Sequence, residues 1–465
     1  MATETNTSTT TGQPELKRVM GPGLLLLFVV GDVLGTGVYA LTGKVAGEVG
    51  GAVWLPFLCA FVVAVLTAFS YLELVGKYPR AAGAALYTHK AFGIHFITFI
   101  VCFAVMCSGL TSASSASKAF AGNAVEALGL DVSTDAIGLT VLAVGFMTLI
   151  AVVNARGVSE SVKTNVVLTL VELSGLLIII AIGAWALANG DGDPSRLTEI
   201  TVPEGETPFG AITAATALAF FAMVGFEDSV NMAEETKDPG RNFPRMMLLG
   251  LAITGVIYLL VCVSAIALVP AAELSEGSTP LLKVVEAGAP GFPIGIFAVI
   301  TMFAVANSAL INMLMASRLL YGMANERVLP AALGRVLPER RTPWVAIIFT
   351  TLLAFGLIWF ADLTALGGTT SLLLLCVFTV VNIAVLVLRR DPVEHKHFRT
   401  PTALPVLGGL LCAFLASPLS GRDPADYKVA GVLLIVGIGL WAVTWVLNRA
   451  LYARPTRIRD VDELR

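Results

Sequence analysis

The stretch GDVLGTGVYALTG, residues 31–43, lies within a long apolar segment, yet it carries an aspartate, several glycines and two threonines. A glycine in a helix interior costs about 1 kcal/mol relative to alanine, so Gly35 and Gly37 weaken any helix that passes through them. Two explanations compete. Small residues allow close contact between membrane helices, whereas an unwound segment exposes backbone N–H and C=O groups to a ligand.

The composition places the chain in the membrane class. Of its 465 residues, 56% are hydrophobic and 14% are charged, and the mean hydropathy is +0.83. Soluble domains carry about 25% charged residues. The net charge of −3 gives no indication of a nucleic-acid partner. The six cysteines lack CxxC spacing and the histidines form no cluster, so neither a metal site nor a disulfide framework is predicted.

Twelve apolar segments have about the length of 20 residues that a membrane-crossing helix requires. We predict spans at 22–43, 52–76, 95–124, 134–153, 164–188, 209–234, 246–269, 293–321, 343–361, 363–388, 404–420 and 428–450. With the N-terminus in the cytoplasm, 24 of the 30 lysines and arginines fall on the cytoplasmic side, as the positive-inside rule requires. The sequence therefore predicts an all-α integral membrane protein with both termini in the cytoplasm.

A second interrupted segment matches the first. FFAMVGFEDSVNMAEETKDPGRNFP, residues 220–244, places Gly225 beside Glu227 and Asp228 within the sixth span. Interrupted spans at corresponding positions of two halves are typical of transporter binding sites. Each interrupted span opens a set of five, so the pattern predicts an inverted repeat of spans 1–5 and 6–10, followed by two appended helices.

These features divide the chain into four predicted parts. Residues 19–390 form the inverted-repeat core, and residues 391–450 form the two appended transmembrane helices. Residues 1–18 are polar and without an apolar stretch, which predicts a disordered cytoplasmic tail. Residues 451–465 form a second cytoplasmic tail.

Two interrupted helices create a site of matched polarity. One stub presents free N–H groups and the positive end of a helix dipole, and the other presents free C=O groups. An α-amino acid carries one carboxylate and one ammonium, so it fits such a site with little help from charged side chains. The pattern therefore favours amino-acid cargo.

Four stretches also point to a known family. They are GDVLGTGVYALTG, SYLELVGKYPRAAGAALYTHKAFG (70–93), GFEDSVNMAEETKDPGRNFPR (225–245) and SRLLYGMANERVLP (317–330). From about residue 18 to 450 the chain resembles the amino acid–polyamine–organocation (APC) superfamily of permeases, which have the LeuT-type fold. The resemblance implies a secondary active transporter that works by alternating access.

The resemblance implies that both interrupted segments bind the substrate. The set comprises Val33, Gly35, Thr36, Gly37, Phe221, Ala222, Val224 and Phe226. The N–H groups of residues 35–37 would hold the carboxylate, and the carbonyls of Val33, Phe221 and Val224 would accept hydrogen bonds from the ammonium. The rings of Phe221 and Phe226 would cap the pocket, with ordinary helix packing as the alternative for each. The small-residue stretches SGLTSASSAS (108–117) and ANSALINM (306–313) indicate room for a side chain.

Ionisable residues inside membrane spans are functional candidates. Those predicted to couple or gate transport are Asp32, Lys118, Glu172 and Glu227. The resemblance implies a lysine in span 5 that replaces a sodium ion in sodium-independent relatives, whereas this chain has Glu172 at the corresponding position. Glu227 matches an acidic position that bears on the pH response of some relatives.

The departure at Glu172 leaves three ways to compensate for the missing lysine. Asp32, Glu172 or both take up a proton, Lys118 pairs with one of these two carboxylates, or a sodium ion binds. The sodium site would lie near Gly31, Leu34, Asn307 and Ser308. We favour protons, because burial disfavours a charged carboxylate. A permanent ion pair of Lys118 that only fixes helix packing is the structural alternative.

Charged residues also cluster where spans 2 and 6 reach the cytoplasm. They are Glu73, Lys77 and Arg80 in the first group, and Glu234, Glu235, Lys237 and Arg241 in the second. We expect these groups to form ion pairs that open and close with the inner gate. A solvated interfacial face is the alternative for each residue.

Rival function classes receive less support. The sequence has no nucleophile–base motif or HExxH for an intramembrane enzyme, and no ring of like residues or repeated filter loop for a channel. Polyamines or other organic cations remain alternative cargo because of Asp32, Glu172 and Glu227. An exchanger or a sodium-coupled permease of the same fold also remains open, as does a homo-oligomer. The expected setting is the cell membrane, with lipid around the protein and no cofactor or metal.

Overall fold

Helices form nearly all of the regular structure. The structure is a computed structural model that describes residues 20–79, 83–128, 136–156, 161–203, 205–325, 328–337 and 342–451. Within these ranges the strand-like pairings are two isolated bridges, Met20 with Thr236 and Gly50 with Ile200. The predicted tail at 1–18, residues 452–465 and Arg80 lie outside the described residues.

Sixteen α-helices follow one another along the described parts of the chain. They are α1 (Pro22–Val33), α2 (Thr36–Val49), α3 (Trp54–Lys77), α4 (Gly83–Phe92), α5 (His95–Leu128), α6 (Ala136–Arg156), α7 (Ser161–Asn189), α8 (Pro208–Ala219), α9 (Pro239–Leu268), α10 (Ala271–Ser275), α11 (Pro280–Gly288), α12 (Ile294–Asn325), α13 (Trp344–Phe360), α14 (Leu363–Leu388), α15 (Ala403–Ala416) and α16 (Pro424–Leu451). Four of the short 3-10 turns between them matter below, at Pro194–Thr198, Phe220–Met223, Asp228–Glu235 and Pro418–Ser420.

The helices confirm an all-α, multi-pass membrane protein. Within the described residues, ten helical segments are long and apolar enough to cross a membrane, with α1 and α2 counted as one segment. Two further apolar helices are shorter, at 17 residues for α13 and 14 for α15. For most segments the predicted boundaries lie within a few residues of the observed ones. The start of α9 differs most, since the helix begins at Pro239 and the predicted span began at residue 246.

The interrupted segments lie in the middle of the molecule. In the most apolar window of Pro22–Val49, 72% of the residues are buried, and the fraction is the same for Pro208–Val230. The corresponding fraction for Pro424–Ala450 is only 22%. Large apolar side chains such as Phe360, which is 88% exposed, cover the outside, as expected for a surface that contacts lipid. The polar, glycine-rich sequences are therefore enclosed by protein, the setting in which non-helical backbone is tolerated at membrane depth.

Packing between distant spans fixes the walls of this centre. α5 packs along α12, and α9 contacts α1, α3 and α7. α14 contacts α5, α15 and α16, so it connects the centre to the C-terminal helices. These contacts bring α5, α12 and α14 around the interrupted segments.

Candidate functional site

The first helix is interrupted within the glycine-rich stretch. α1 ends at Val33 and α2 begins at Thr36, which leaves Leu34 and Gly35 outside helical structure. Gly35 occupies the N-cap position of α2 and has no side chain with which to cap it. Because the first N–H groups of a helix have no acceptor within that helix, α2 presents uncapped donors at the interruption.

The carbonyl of Val33, on the other side of this interruption, is already occupied. It accepts a hydrogen bond from the hydroxyl of Tyr258 and another, at 2.8 Å, from the N–H of Gly35. A carbonyl oxygen has two lone pairs. Val33 therefore has no free acceptor for a substrate ammonium, which is the role that the resemblance implied for it.

The second interruption lies between α8 and the 3-10 turn at Asp228–Glu235. Val224 is extended, with φ −81° and ψ 160°, and Gly225 has a φ of +118°. A Cβ at Gly225 would lie 2.5 Å from the backbone oxygen of Asp32. Glycine is required here by its positive φ and also by direct contact with the first interruption.

The two interruptions meet around a central pocket. Eight residues predicted from the sequence line it: Asp32, Val33, Gly35, Thr36, Gly37, Phe221, Val224 and Glu227. Seven further residues complete its lining: Ser112, Gly225, Asp228, Ser308, Asn312, Thr370 and Leu374. We call these fifteen residues the central pocket.

Most of the additional lining residues had a signal in the sequence. Ser112 and Asn312 lie in the two small-residue stretches that indicated room, and Ser308 belongs to the set considered for sodium. Thr370 and Leu374 of α14 were not identified. The run GGTTS at 367–371, a polar interruption in an otherwise apolar span, was the available signal.

Two predicted pocket residues belong to the surrounding packing. Ala222 lies against α2, because a Cβ built on Gly37 would fall 2.4 Å from the Cα of Ala222. The ring of Phe226 is fully buried. Its centroid lies 5.9 Å from that of Tyr71 and 5.4 Å from that of Phe378. The structure thus places Phe226 in an aromatic cluster beside the central pocket.

Lys118 and Glu172 do not form the ion pair that was considered. Lys118 is half-buried in α5, and the acidic residue whose charge reaches it is Asp362, at the N-cap of α14. Glu172 is fully buried in α7, and neither of its carboxylate oxygens has a hydrogen-bond partner. One oxygen of the Asp32 carboxylate is likewise buried without a hydrogen-bond partner, and the charge that acts on Lys118 is that of Asp362 rather than that of Asp32.

Acidic side chains determine the charge of the central pocket. Asp32, Glu227 and Asp228 line it, and none of the lining residues is Lys, Arg or His. Oε2 of Glu227 accepts a hydrogen bond from the N–H of Gly225 at 2.8 Å, so this carboxylate also supports the second interruption. Glu172 is near enough to Asp32 for their charges to interact. The site is therefore complementary to a cationic group or a proton.

A separate set of charges joins the C-terminal ends of α3 and α14. Glu73 accepts hydrogen bonds from Arg389 at 2.9 and 2.8 Å and from the N–H of Thr400 at 2.8 Å. We call Glu73, Arg389 and Thr400 the Glu73 cluster. Lys77 donates to two backbone carbonyls at the end of α14 and just after it. Glu73 therefore forms an ion pair, with Arg389, and the solvated alternative is wrong for it because Glu73 is 2% exposed.

Comparison with known proteins identifies the relatives of this chain. A sequence model described as amino acid permease matches residues 25–445. The chain is 25% identical to a branched-chain amino acid permease of Bacillus subtilis over 463 residues, covering 96% of this chain and 95% of that one. It is 26% identical to a methylthioribose transporter of the same species, with 94% of each chain covered. Identity to the chloroplastic cationic amino acid transporter 9 of Arabidopsis thaliana is also 26%, covering 98% of this chain and 81% of that one.

Proposed function

Because the chain belongs to the amino acid permease family, which confirms the resemblance to the APC superfamily, we propose that it carries an amino acid across the cell membrane by alternating access. The observation that supports this most strongly is the central pocket. There the uncapped start of α2 lies together with the end of the Phe220–Met223 turn and three acidic side chains. A zwitterion requires both polarities within one small cavity.

The substrate binds in an orientation fixed by backbone polarity. Its carboxylate accepts hydrogen bonds from the N–H groups at the start of α2, at Thr36 and Gly37, where the helix dipole favours an anion. Its ammonium donates to the carbonyls of Phe221 and Val224 and to the unpartnered oxygen of Asp32. The occupied carbonyl of Val33 has no part in this contact.

The transport architecture consists of twelve spans. α13 and α15 extend over about 25 and 21 Å at 1.5 Å per residue, against a hydrocarbon thickness of about 30 Å. A short helix is accommodated by local thinning of the bilayer, and the Pro418–Ser420 turn follows α15 after one extended residue, Ser417. With α13 and α15 counted, the twelve spans place both termini on the same side of the membrane, and the positive-inside rule makes that side the cytoplasm. Spans 1–5 and 6–10 then form the inverted repeat, and each half begins with one interrupted helix.

Protons drive transport through Glu172 and Asp32. A buried carboxylate without a hydrogen-bond partner is costly when ionised, and both oxygens of Glu172 are in that situation. Ionisable residues at membrane depth are typical of proton relays. The sodium-coupled alternative would use Gly31, Leu34, Asn307 and Ser308, of which Ser308 lines the pocket.

An organic cation such as a polyamine is the second candidate cargo. The observation that favours it is the excess of negative charge, since Asp32, Glu227 and Asp228 line the pocket without a basic residue. A cation with two amino groups would engage more of these acids than a neutral amino acid does.

Uptake into proteoliposomes tests the proposal. We expect saturable uptake of a labelled amino-acid mixture in sodium-free buffer, stimulated by an inward-directed proton gradient. Counterflow by unlabelled amino acid would separate a transporter from a channel. If nothing accumulates, even with sodium or with amino acids preloaded inside, amino-acid cargo is excluded and polyamines become the next substrates to assay.

A matched pair of variants assigns the activity to the central pocket. Asp228→Asn removes a charge from the pocket lining and should reduce uptake. Asp193→Asn makes the same change at an exposed position before the Pro194–Thr198 turn and should leave uptake unchanged. Equal effects of the two variants would mean that uptake does not depend on the pocket.

A further inference from the structure

A buried arginine lies near the opposite end of α14 from the Glu73 cluster. Arg422 stands between α15 and α16, and its side chain is 1% exposed. Its guanidinium donates to Oδ2 of Asp426 at 2.8 Å and to the carbonyl of Gly368 at 2.6 Å. It also donates to the carbonyls of Leu415 and Ala217, at 3.2 and 3.3 Å, and to Oγ of Ser371 at 3.1 Å. We call these six residues the Arg422 cluster.

The Arg422 cluster joins two walls of the central pocket. Ala217 lies in the last turn of α8, just before the Phe220–Met223 turn, and its carbonyl also accepts from the hydroxyl of Ser371. Ser371 directly follows Thr370, a pocket residue. The guanidinium therefore ties α8 to α14 beside the pocket and ties both to the segment that precedes α16.

The cluster is closely packed as well as hydrogen-bonded. A Cβ at Gly368 would lie 2.2 Å from Oδ1 of Asp426, so a larger residue there would displace the carboxylate. Buried ion pairs add little to stability on average, because desolvation of the charges offsets their attraction. Five donated hydrogen bonds to residues of four helices, α8, α14, α15 and α16, instead indicate that these helices must be held in one relative position.

We propose that the Arg422 cluster holds the central pocket closed on the side of the membrane where α8 and α14 begin, and that it breaks when the pocket opens to that side. The inference rests on the alternating access proposed above. α8 and α14 cannot separate there while Arg422 bonds to both Ala217 and Gly368. Arg422 is a positioning residue, since it is not part of the pocket lining and acts through the distance between two walls.

Loss of the cluster should shift the protein toward the form that is open on this side. Hydrogen bonds to charged groups are stronger than those between neutral groups, so losing them should raise accessibility from this side about tenfold or more. The variant is Arg422→Gln with Asp426→Asn, which leaves no unpaired buried charge. Ser371→Ala removes the bonds of one hydroxyl and should give a smaller rise in the same direction.

Cysteine labelling measures that accessibility. Ser112→Cys places a reporter in the pocket lining, in a chain whose six native cysteines are replaced. A membrane-impermeant maleimide is applied to right-side-out and to inside-out vesicles. We expect the variants to label faster from the side where α8 and α14 begin and more slowly from the opposite side. Arg196→Gln with Asp193→Asn is the matched control, because it removes an exposed Arg–Asp pair, and labelling should not change.

The outcomes separate a gating role from a purely structural one. A protein that is only destabilised would label faster from both sides, and that result, or no change from either side, would overturn the proposal. If the double variant does not reach the membrane, Ser371→Ala decides alone by the same criterion. The labelling requires no substrate, so a failure of amino-acid transport would leave this test intact.

Discussion

Asp426 and Glu172 are both buried acidic residues in apolar helices, yet their surroundings differ. Asp426 accepts a hydrogen bond from Arg422 at 2.8 Å, whereas neither carboxylate oxygen of Glu172 has a partner. Glu73 resembles Asp426 because it is paired with Arg389, and Asp32 resembles Glu172. Each of these two paired carboxylates belongs to a network that links separate helices: Glu73 bonds to Arg389 at the end of α14, and Arg422, the partner of Asp426, also bonds to α8 and α14. An unpaired one at membrane depth is available to a proton or a cation.

The largest effect is expected when a paired carboxylate loses its cation. Arg389→Met leaves the Glu73 carboxylate buried and removes the two hydrogen bonds that Arg389 donates to it. Of the three described bonds to Glu73, the one from the N–H of Thr400 then remains. Breaking a buried pair in this way costs about 3–5 kcal/mol of unfolding free energy. The melting temperature of the purified protein in detergent should fall strongly, or the folded yield should collapse.

A double variant is the control for this prediction. Arg389→Met combined with Glu73→Leu removes both charges, so much of the lost melting temperature should return. A double variant as unstable as the single one would show that packing, rather than the unpaired charge, dominates at the Glu73 cluster.

The second prediction concerns the unpaired carboxylate. Glu172→Gln removes a proton site but breaks no hydrogen bond of the side chain. Uptake driven by a pH gradient should be abolished, while exchange of substrate across the membrane and the melting temperature should be preserved. Glu276→Gln, at an exposed position, should leave gradient-driven uptake intact. Gradient-driven uptake by Glu172→Gln at the unaltered rate would contradict the coupling role.

The sequence located the pocket because its local signals are rare in apolar spans. Gly35 and Gly37, and Gly225 beside Glu227, each combine helix-weakening or charged residues with a hydrophobic surrounding. These residues line the central pocket of the structure. Local chemistry was therefore sufficient to find which parts of the chain leave the helical pattern.

Contacts between distant segments were not predictable in this way. Glu73 and Arg389 are separated by 316 positions, and no periodicity connects them. In the sequence, Arg422 is only one of the six lysines and arginines that the positive-inside rule does not place on the cytoplasmic side. The hydroxyl that occupies the carbonyl of Val33 comes from Tyr258 on α9. Such pairings depend on which helices pack together, and a single sequence does not determine that.

A smaller effect should distinguish pocket-lining from packing aromatics. Phe221 lines the central pocket, while Phe226 packs against Tyr71 and Phe378. Phe221→Leu should raise the substrate concentration for half-maximal uptake several-fold. Phe226→Leu should instead lower the unfolding free energy by about 1–2 kcal/mol, since it removes buried ring atoms. Equal shifts in half-maximal concentration would place both rings at the substrate.

The smallest effect is expected at a carboxylate that is partnered but exposed. The hydroxyl and the N–H of Ser195 donate to Asp193 at 2.6 and 3.0 Å, and these bonds hold the pKa of Asp193 below its ordinary value. A lowered folded-state pKa stabilises the protein at pH values above the unfolded pKa, and this contribution disappears as pH falls through the folded pKa. Asp193→Asn should therefore melt slightly below the unaltered protein at neutral pH and equally in strong acid. A difference that persists in acid would mean that the hydrogen-bond geometry at this turn, rather than the charge, stabilises it. In that case, the presence of a hydrogen-bond partner would not by itself show that the charge of a carboxylate matters, and this would apply to the buried carboxylates too.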